Sequence, residues 1–354
     1  MVRWGAVMGL LVCCEPAVRD TPRGADAASA PADEDAADTD APLPVGTELL
    51  ADDALLQAVT HALVSAEDRV RVAQYTLWDS GAVQDVVEAL GDAAERGVQV
   101  QVLADEEASD TPAILEQLAA RGVQTRLDSA DVTLHNKLWI IDDAVLTGSH
   151  NMSNSALTSN REVSVRVTDA AAVAAFDAWF DAVWDSPAVD PSVAPVAGST
   201  RPWFDDGVLN GVLDCIGGAS SELRVAMYAF SWSTDYPGGE VDQVMSALLD
   251  AHARGVDVRV VLDGSSWIAD NDINTLAIAH LAEAGVPVRT ADNDDLVHAK
   301  VMVCDDTAFV SDANWSYSGM VLYHGASVSI AGGRVADPLS AWIDGLFEGG
   351  VAPD

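Results

Sequence analysis

The second half of this 354-residue chain repeats the pattern of the first, so any admissible fold must accommodate that pattern twice. Residues 69–75 alternate apolar and polar side chains and end in Tyr75. An apolar 3.6-residue period follows over residues 83–96, then Gly97, then a second alternating run to Asp105. The same order returns in residues 223–228, in the helical period 241–254, at Gly255 and in the run to Asp263. Each copy predicts a strand, a helix stopped by glycine, and another strand. Further helix-to-strand units end at Gly122-Val123 and Gly285-Val286. Helices alternating with strands predict an α/β sheet in each half. The tyrosines are 153 residues apart (228 − 75) and the aspartates 158 (263 − 105), so the second copy gained five residues, assigned to the loop 233–239.

At matching points of the two copies stand His135-Asn136-Lys137 and His298-Ala299-Lys300, each leading into an apolar run that ends in an aspartate, Asp142 or Asp305. These lysines are the only two in the chain; the other basic residues of the 18 are arginines. On a strand, residues two apart share a face, so each copy presents one imidazole beside one ammonium. Two such pairs in one pocket suit a phosphodiester. The ammonium groups hold non-bridging oxygens and stabilise developing charge, one imidazole attacks phosphorus, and the other protonates the leaving oxygen.

The doubled H-x-K followed by four residues and Asp resembles the phospholipase D superfamily, from about Thr47 to the C-terminus. That resemblance implies two similar α/β repeats, each a mixed sheet flanked by helices, with the active site at their interface. It implies His135, Lys137, His298 and Lys300 as catalytic residues, and no metal or other cofactor. It also implies a pocket lined by Ser149 and Asn151 of the first copy and Asn314 of the second. Asp312 stands where Ser is usual. The family further places a carboxylate 25 to 30 residues after each His: Glu162 fits (162 − 135 = 27), whereas the second-copy position is Gly325 (298 + 27). On that asymmetry Glu162 is expected to orient His135, making His135 the nucleophile and His298 the acid and base. Asp312 either substitutes as an orienting group or weakens the site. Asp142 and Asp305 are read as ties for strand ends. His150 lies on the Ser149 loop, where packing is the first reading and substrate contact the second. Trp78 and Trp232 read as core, and His61, His252 and His280 as helix residues.

The remaining expectations concern location and substrate. A basic start, a short apolar run and Cys13-Cys14 resemble a lipoprotein leader, residues 1–14, with Cys14 lipidated and the protein exported and anchored to a membrane of the cell envelope. Residues 15–46, rich in Ala, Asp, Pro and Thr, read as a disordered tether. The repeats are assigned to 47–186 and 203–354, with a linker at 187–202. Cys304 sits in an apolar run and reads as a small buried hydrophobe; a disulfide to Cys215 stays open, with nothing in the pattern placing the two together. The net charge of −38 reads first as a solvated acidic surface and second as a face for a cationic partner; at low salt it works against nucleic acid and anionic membrane alike. Phospholipid is the first substrate reading, hydrolysed in the phospholipase D manner. An exported nuclease, a phosphatidyl transferase like cardiolipin synthase, and a non-catalytic phosphate-binding module with a degenerate second motif follow.

Overall fold

The computed structural model describes residues 46–353 apart from 107, 129–130, 189–190, 192, 267, 269–270 and 292–295. The leader 1–14 with Cys14, and the tether save Gly46, lie outside the described residues. Each half builds one mixed sheet of seven strands. The first runs in the order β1-β7-β6-β5-β2-β3-β4. Its strands are β1 (Glu48–Ala51), β2 (Arg69–Gln74), β3 (Gln99–Ala104), β4 (Gln124–Leu127), β5 (Lys137–Ile141), β6 (Ala144–Gly148) and β7 (Val163–Val167). The second has the corresponding order β8-β14-β13-β12-β9-β10-β11. Here the strands are β8 (Thr200–Phe204), β9 (Glu222–Met227), β10 (Asp257–Leu262), β11 (Val288–Thr290), β12 (Lys300–Cys304), β13 (Thr307–Ser311) and β14 (Ala326–Ala331). The duplication read from the sequence is thus a duplication of topology. β8 begins inside the expected linker, because Thr200–Phe204 pairs with β14 as an edge strand, the one place where Pro202 costs no ladder bond.

Local chemistry sets these elements. β5 and β12 lie at the centre of their sheets, and β2 and β9 run beside them, antiparallel to β5 or β12 and parallel to β3 or β10. The helices α2 (Gly81–Glu95) and α7 (Glu240–Ala253) each end just before a glycine at positive φ, Gly97 at 99° and Gly255 at 88°. A side chain there would be strained, and the glycine lets the chain turn back into the next strand. The five added residues fall in the loop between β9 and α7. Asp242 closes that loop by accepting from Trp232 Nε1 (2.9 Å) and Gly238 N (2.7 Å).

Three large apolar clusters among the described residues organise the packing. Outer ones cover each sheet beneath α1 (Ala54–Ser65) and α2, or beneath α6 (Gly207–Gly218) and α7. The third belongs to both halves. It joins inward side chains of both sheets to the apolar faces of α5 (Ala170–Asp185) and the C-terminal helix (Gly333–Gly349, here α9). Phe176, Trp179 and Phe180 of α5 and Leu339 and Ile343 of α9 belong to this layer. The halves therefore share a core, and neither could expose its inner face without losing it.

Cys215 and Cys304 are joined by a disulfide, 89 residues apart in sequence. This corrects the reading of Cys304 as an unbonded buried hydrophobe. α6 packs over β12, and that packing brings its last turn to the strand's end. Closing a loop of that length restricts the unfolded chain and contributes about 2–4 kcal/mol. Reductant is therefore expected to lower the Tm of the native chain and to leave that of a Cys304→Ser variant unchanged, as read by thermal denaturation with and without dithiothreitol.

Candidate active site

The polar start of β5 carries His135 and Lys137, and that of β12 carries His298 and Lys300; all four side chains are buried. The two pairs have matching geometry. Lys137 Nζ donates to the His135 carbonyl (2.8 Å) and lies 3.3 and 3.4 Å from the two ring nitrogens of His135. Lys300 Nζ donates to the His298 carbonyl (2.7 Å) and lies 2.9 Å from His298 Nε2. Each lysine also sits over a tyrosine ring, Lys137 over Tyr75 at 4.9 Å and Lys300 over Tyr228 at 4.8 Å. The same rings pack on the imidazoles, with centroids 4.8 Å apart for Tyr75 and His135 and 4.6 Å for Tyr228 and His298. Tyr75 and Tyr228 are site residues that motif reading missed, although their pairing in the repeat was visible. An aromatic face offers a buried ammonium partial compensation for lost water.

Backbone contacts cross between the halves and bring the pairs together. Leu134 bridges to His324, and Arg161 to Val297. His135 N donates to the His324 carbonyl (2.9 Å), and His298 N to the Arg161 carbonyl (2.9 Å). Asp105 and Asp263, at the ends of β3 and β10, accept from Leu134 N and Val297 N and so fix the approach to each histidine. Burial raises the Asp263 carboxyl above its ordinary range. Asn136 of the first motif donates to the buried Asp312 of the second half (3.3 Å), a further contact across the interface.

Glu162 corrects one sequence expectation. It does not orient the histidine of its own half. Its carboxylate takes His298 Nδ1 across the interface, at 2.9 Å to one oxygen and 3.0 Å to the other. Burial opposes its ionisation, yet the charge and hydrogen bond of His298 outweigh it and hold Glu162 below the usual carboxylate range. Spacing along one chain could not reveal this, because the halves exchange their orienting groups in space. Ser149, expected to line the pocket, is fully buried and donates its hydroxyl to Glu162, so it supports the carboxylate. Asn160 Nδ2 donates to the other Glu162 oxygen (3.2 Å).

Of the remaining candidates, Asn151 is half-buried at the end of the Ser149 loop, and Asn314 is buried in the matching second-copy loop. His150 is wholly buried. Its Nε2 donates to the Asp52 carbonyl (2.7 Å), its Nδ1 pairs with Ser164 Oγ (2.8 Å), and burial lowers its pKa. Asp142 accepts from the backbone of Glu67, Asp68 and Arg69 where β2 begins. Asp305 does the same for Ser220, Ser221 and Glu222 at β9. Although burial opposes it, these donors hold Asp305 well below the usual carboxylate range. Both aspartates tie strand ends, in left-handed backbone at φ 51° and 53°. Trp232 stacks on His280.

The family model described as cardiolipin synthase, PLD-like domain matches residues 59–184 and again 212–347. The chain belongs to the phospholipase D-like family. Among curated relatives, a mitochondrial cardiolipin hydrolase of Chlamydomonas reinhardtii is 28% identical over 103 residues, 28% of this chain and 46% of that protein. The chain thus spans about half the length of this relative. A virion nicking-joining enzyme of Monkeypox virus is 26% identical over 293 residues, 67% of this chain and 68% of that protein. Phosphatidylserine synthase of Haemophilus influenzae has the same fold, with a TM-score of 0.67 at 12% identity over 86% of each chain.

A second buried ion pair stands behind His135. His324 Nδ1 donates to Asp205 (3.1 Å), and its Nε2 donates to the Pro187 carbonyl (2.8 Å). Burial works against its charge, but Asp205 outweighs that and raises its pKa. The stabilisation is complete below the unfolded histidine pKa of about 6.5 and is lost as pH rises through the higher folded value. A fall in Tm is therefore expected on the alkaline side of about pH 6.5, and His324→Gln should flatten it, as read by calorimetry across pH 6 to 9.

Proposed function

We propose that the chain is a metal-independent phosphodiesterase of phospholipids that works through a phosphohistidine. The observation that carries this reading is the buried Glu162–His298 pair set beside a second His–Lys pair. Glu162 fixes the proton on His298 Nδ1 and leaves Nε2, beside Lys300, with its lone pair for attack. His298 is thus the nucleophile and His135 the acid and base, the reverse of the assignment expected from spacing. His298 Nε2 bonds to phosphorus as the bond to the leaving oxygen breaks, and His135 gives that oxygen a proton. His135 then takes a proton from water, which attacks phosphorus and releases His298. Lys137 and Lys300 hold the non-bridging oxygens throughout.

Phospholipid as substrate draws support from three sides. The matched family model and one curated relative carry cardiolipin in their descriptions. The charge of −38 opposes a polyanionic strand. A leader of lipoprotein type would hold the protein at a membrane. The Cys215–Cys304 disulfide favours an oxidising compartment and hence export. The nuclease reading keeps one specific support, the nicking-joining relative that aligns over 67% of the chain.

Headgroup release from mixed phospholipid vesicles, with EDTA present, tests the reaction. Release is expected to persist, to vanish in His298→Ala, and to fall about 10²–10⁴-fold in His135→Ala, the range for loss of a general acid. Labelling by substrate phosphate that is trapped in alkaline detergent, stable to alkali and lost in acid should appear in wild type and His135→Ala and be absent from His298→Ala. Labelling of His298→Ala but not His135→Ala would restore the opposite roles. Cleavage of single-stranded DNA without headgroup release would transfer the same chemistry to the nuclease reading.

A further inference from the structure

The halves correspond at an offset of 163 residues through the motif region (298 − 135), which pairs Ser149 with Asp312 and Glu162 with Gly325. The first half thus offers a small hydroxyl and a carboxylate where the second offers a carboxylate and no side chain. The geometry shows that these two differences are one. A Cβ built on Gly325 would lie 3.0 Å from Asp312 Oδ1, with the rest of that carboxylate within 3.8 Å. Asp312 therefore fills the space from which a Glu at 325 would start.

The surroundings of Asp312 show what it serves. Its side chain is wholly buried. Oδ2 accepts from Ala326 N (2.7 Å) and from Asn136 Nδ2 (3.3 Å). Asn136 is the residue between His135 and Lys137, on the other half. Oδ1 has no hydrogen-bond partner among the described residues. Glu162 reaches from the first half to the motif of the second, and Asp312 reaches from the second half to the motif of the first. The crossing is the same; only the position that carries the carboxylate has changed. The charged groups that act on Asp312 are Lys137, Asp205 and Lys300.

We propose that Asp312 is the relocated counterpart of Glu162, a positioning residue that holds the His135-Asn136-Lys137 segment and supplies the negative charge of that half-site. The proposal rests on the phosphodiesterase reading for its catalytic consequence, though not for its electrostatic one. A buried carboxylate with one unpaired oxygen is costly to fold around. Burial pushes the Asp312 carboxyl up to about 7, against the lysines that lower it. An unfolded aspartate ionises near 3.9, so the group destabilises the fold increasingly as pH rises from about 4 to 7, and fully above that. Keeping so expensive a group at the site is understandable if the reaction uses it.

The relocation predicts a rescue that no merely structural role would give. In Asp312→Ser the half-site loses its carboxylate, and kcat is expected to fall at least 100-fold with KM within about threefold. Gly325→Glu alone crowds a second carboxylate onto Asp312 and should be equally damaging. The double variant D312S/G325E recreates the Ser–Glu arrangement of the first half and should recover at least tenfold over D312S. Activity in D312S within threefold of wild type, or a double variant no better than the product of the single effects, overturns the proposal. Should D312S fail to fold, D312N keeps the side-chain shape and replaces it as the single-site variant. Turnover is not the only readout. ¹⁵N titration of the His135 imidazole should show its pKa at least half a unit lower in D312S, and returned in the double variant. An unchanged His135 titration sinks the proposal even if the chain shows no turnover, in which case the phosphodiesterase reading falls separately.

Discussion

The site depends on one interaction that neither half could make alone, the buried contact of Glu162 with His298 across the repeat interface. Taking a carboxylate and an imidazole out of water is costly, and the cost is recovered only where geometry and supporting hydrogen bonds are good. Here both requirements are met. Ser149 and Asn160 hold the carboxylate, and the Arg161 carbonyl, one residue away in sequence, takes the backbone N–H of the same histidine. Side chain and backbone of the segment 160–162 thus dock together on the second motif. The shared apolar layer of α5 and α9 keeps the two sheets in register, so that this docking does not have to hold the halves by itself.

What could be read from the chain and what could not divide along a physical line. Strand, helix and glycine stop are local, and residues 69–105 and 223–263 announce them by period alone. The two motifs were equally visible, because a His and a Lys two apart on a strand need no tertiary knowledge to be paired. The partner of Glu162 was not visible. Its distance of 27 residues from His135 pointed to the wrong imidazole, since the pairing is exchanged between copies. The Cys215–Cys304 bond was hidden for the same reason: it joins a helix end to a strand end 89 residues away, and only the packing of α6 on β12 brings them together. Ser149 was found as a site residue, but its role needed the neighbour it touches.

Duplication also explains where the halves have diverged. Asp52 and Asp205, 153 residues apart, both adopt left-handed backbone, at φ 56° and 50°. Each anchors the residue that supports the opposite histidine: Asp52 pairs with Arg161 (3.0 Å) and Asp205 with His324 (3.1 Å). The first strut rests on an arginine, and the second on a histidine that titrates. Neither lies in the H-x-K motif, so divergence there altered the pH response of the scaffold without touching the reacting groups. The Ser–Glu and Asp–Gly pairs follow the same rule one layer closer in, where a change at one position is tolerable only with its complement at the other.

The chain's charge acts on two scales, and the two lysines separate them. Exposed carboxylates set a field that repels polyanions at a distance, yet at physiological salt that field decays over about 8 Å. Lys137 and Lys300 are almost fully enclosed, at 2% and 0% exposure, where screening is weak and an ammonium held against a tyrosine face acts at close range on a bound phosphate. An acidic exterior and a cationic site therefore do not cancel. On the phospholipid reading proposed above, the exterior would select against extended anionic strands at encounter, and the interior would stabilise one phosphodiester once it has entered. A single lipid headgroup satisfies both conditions more readily than a nucleic acid strand, which must bring its neighbouring phosphates along the acidic surface.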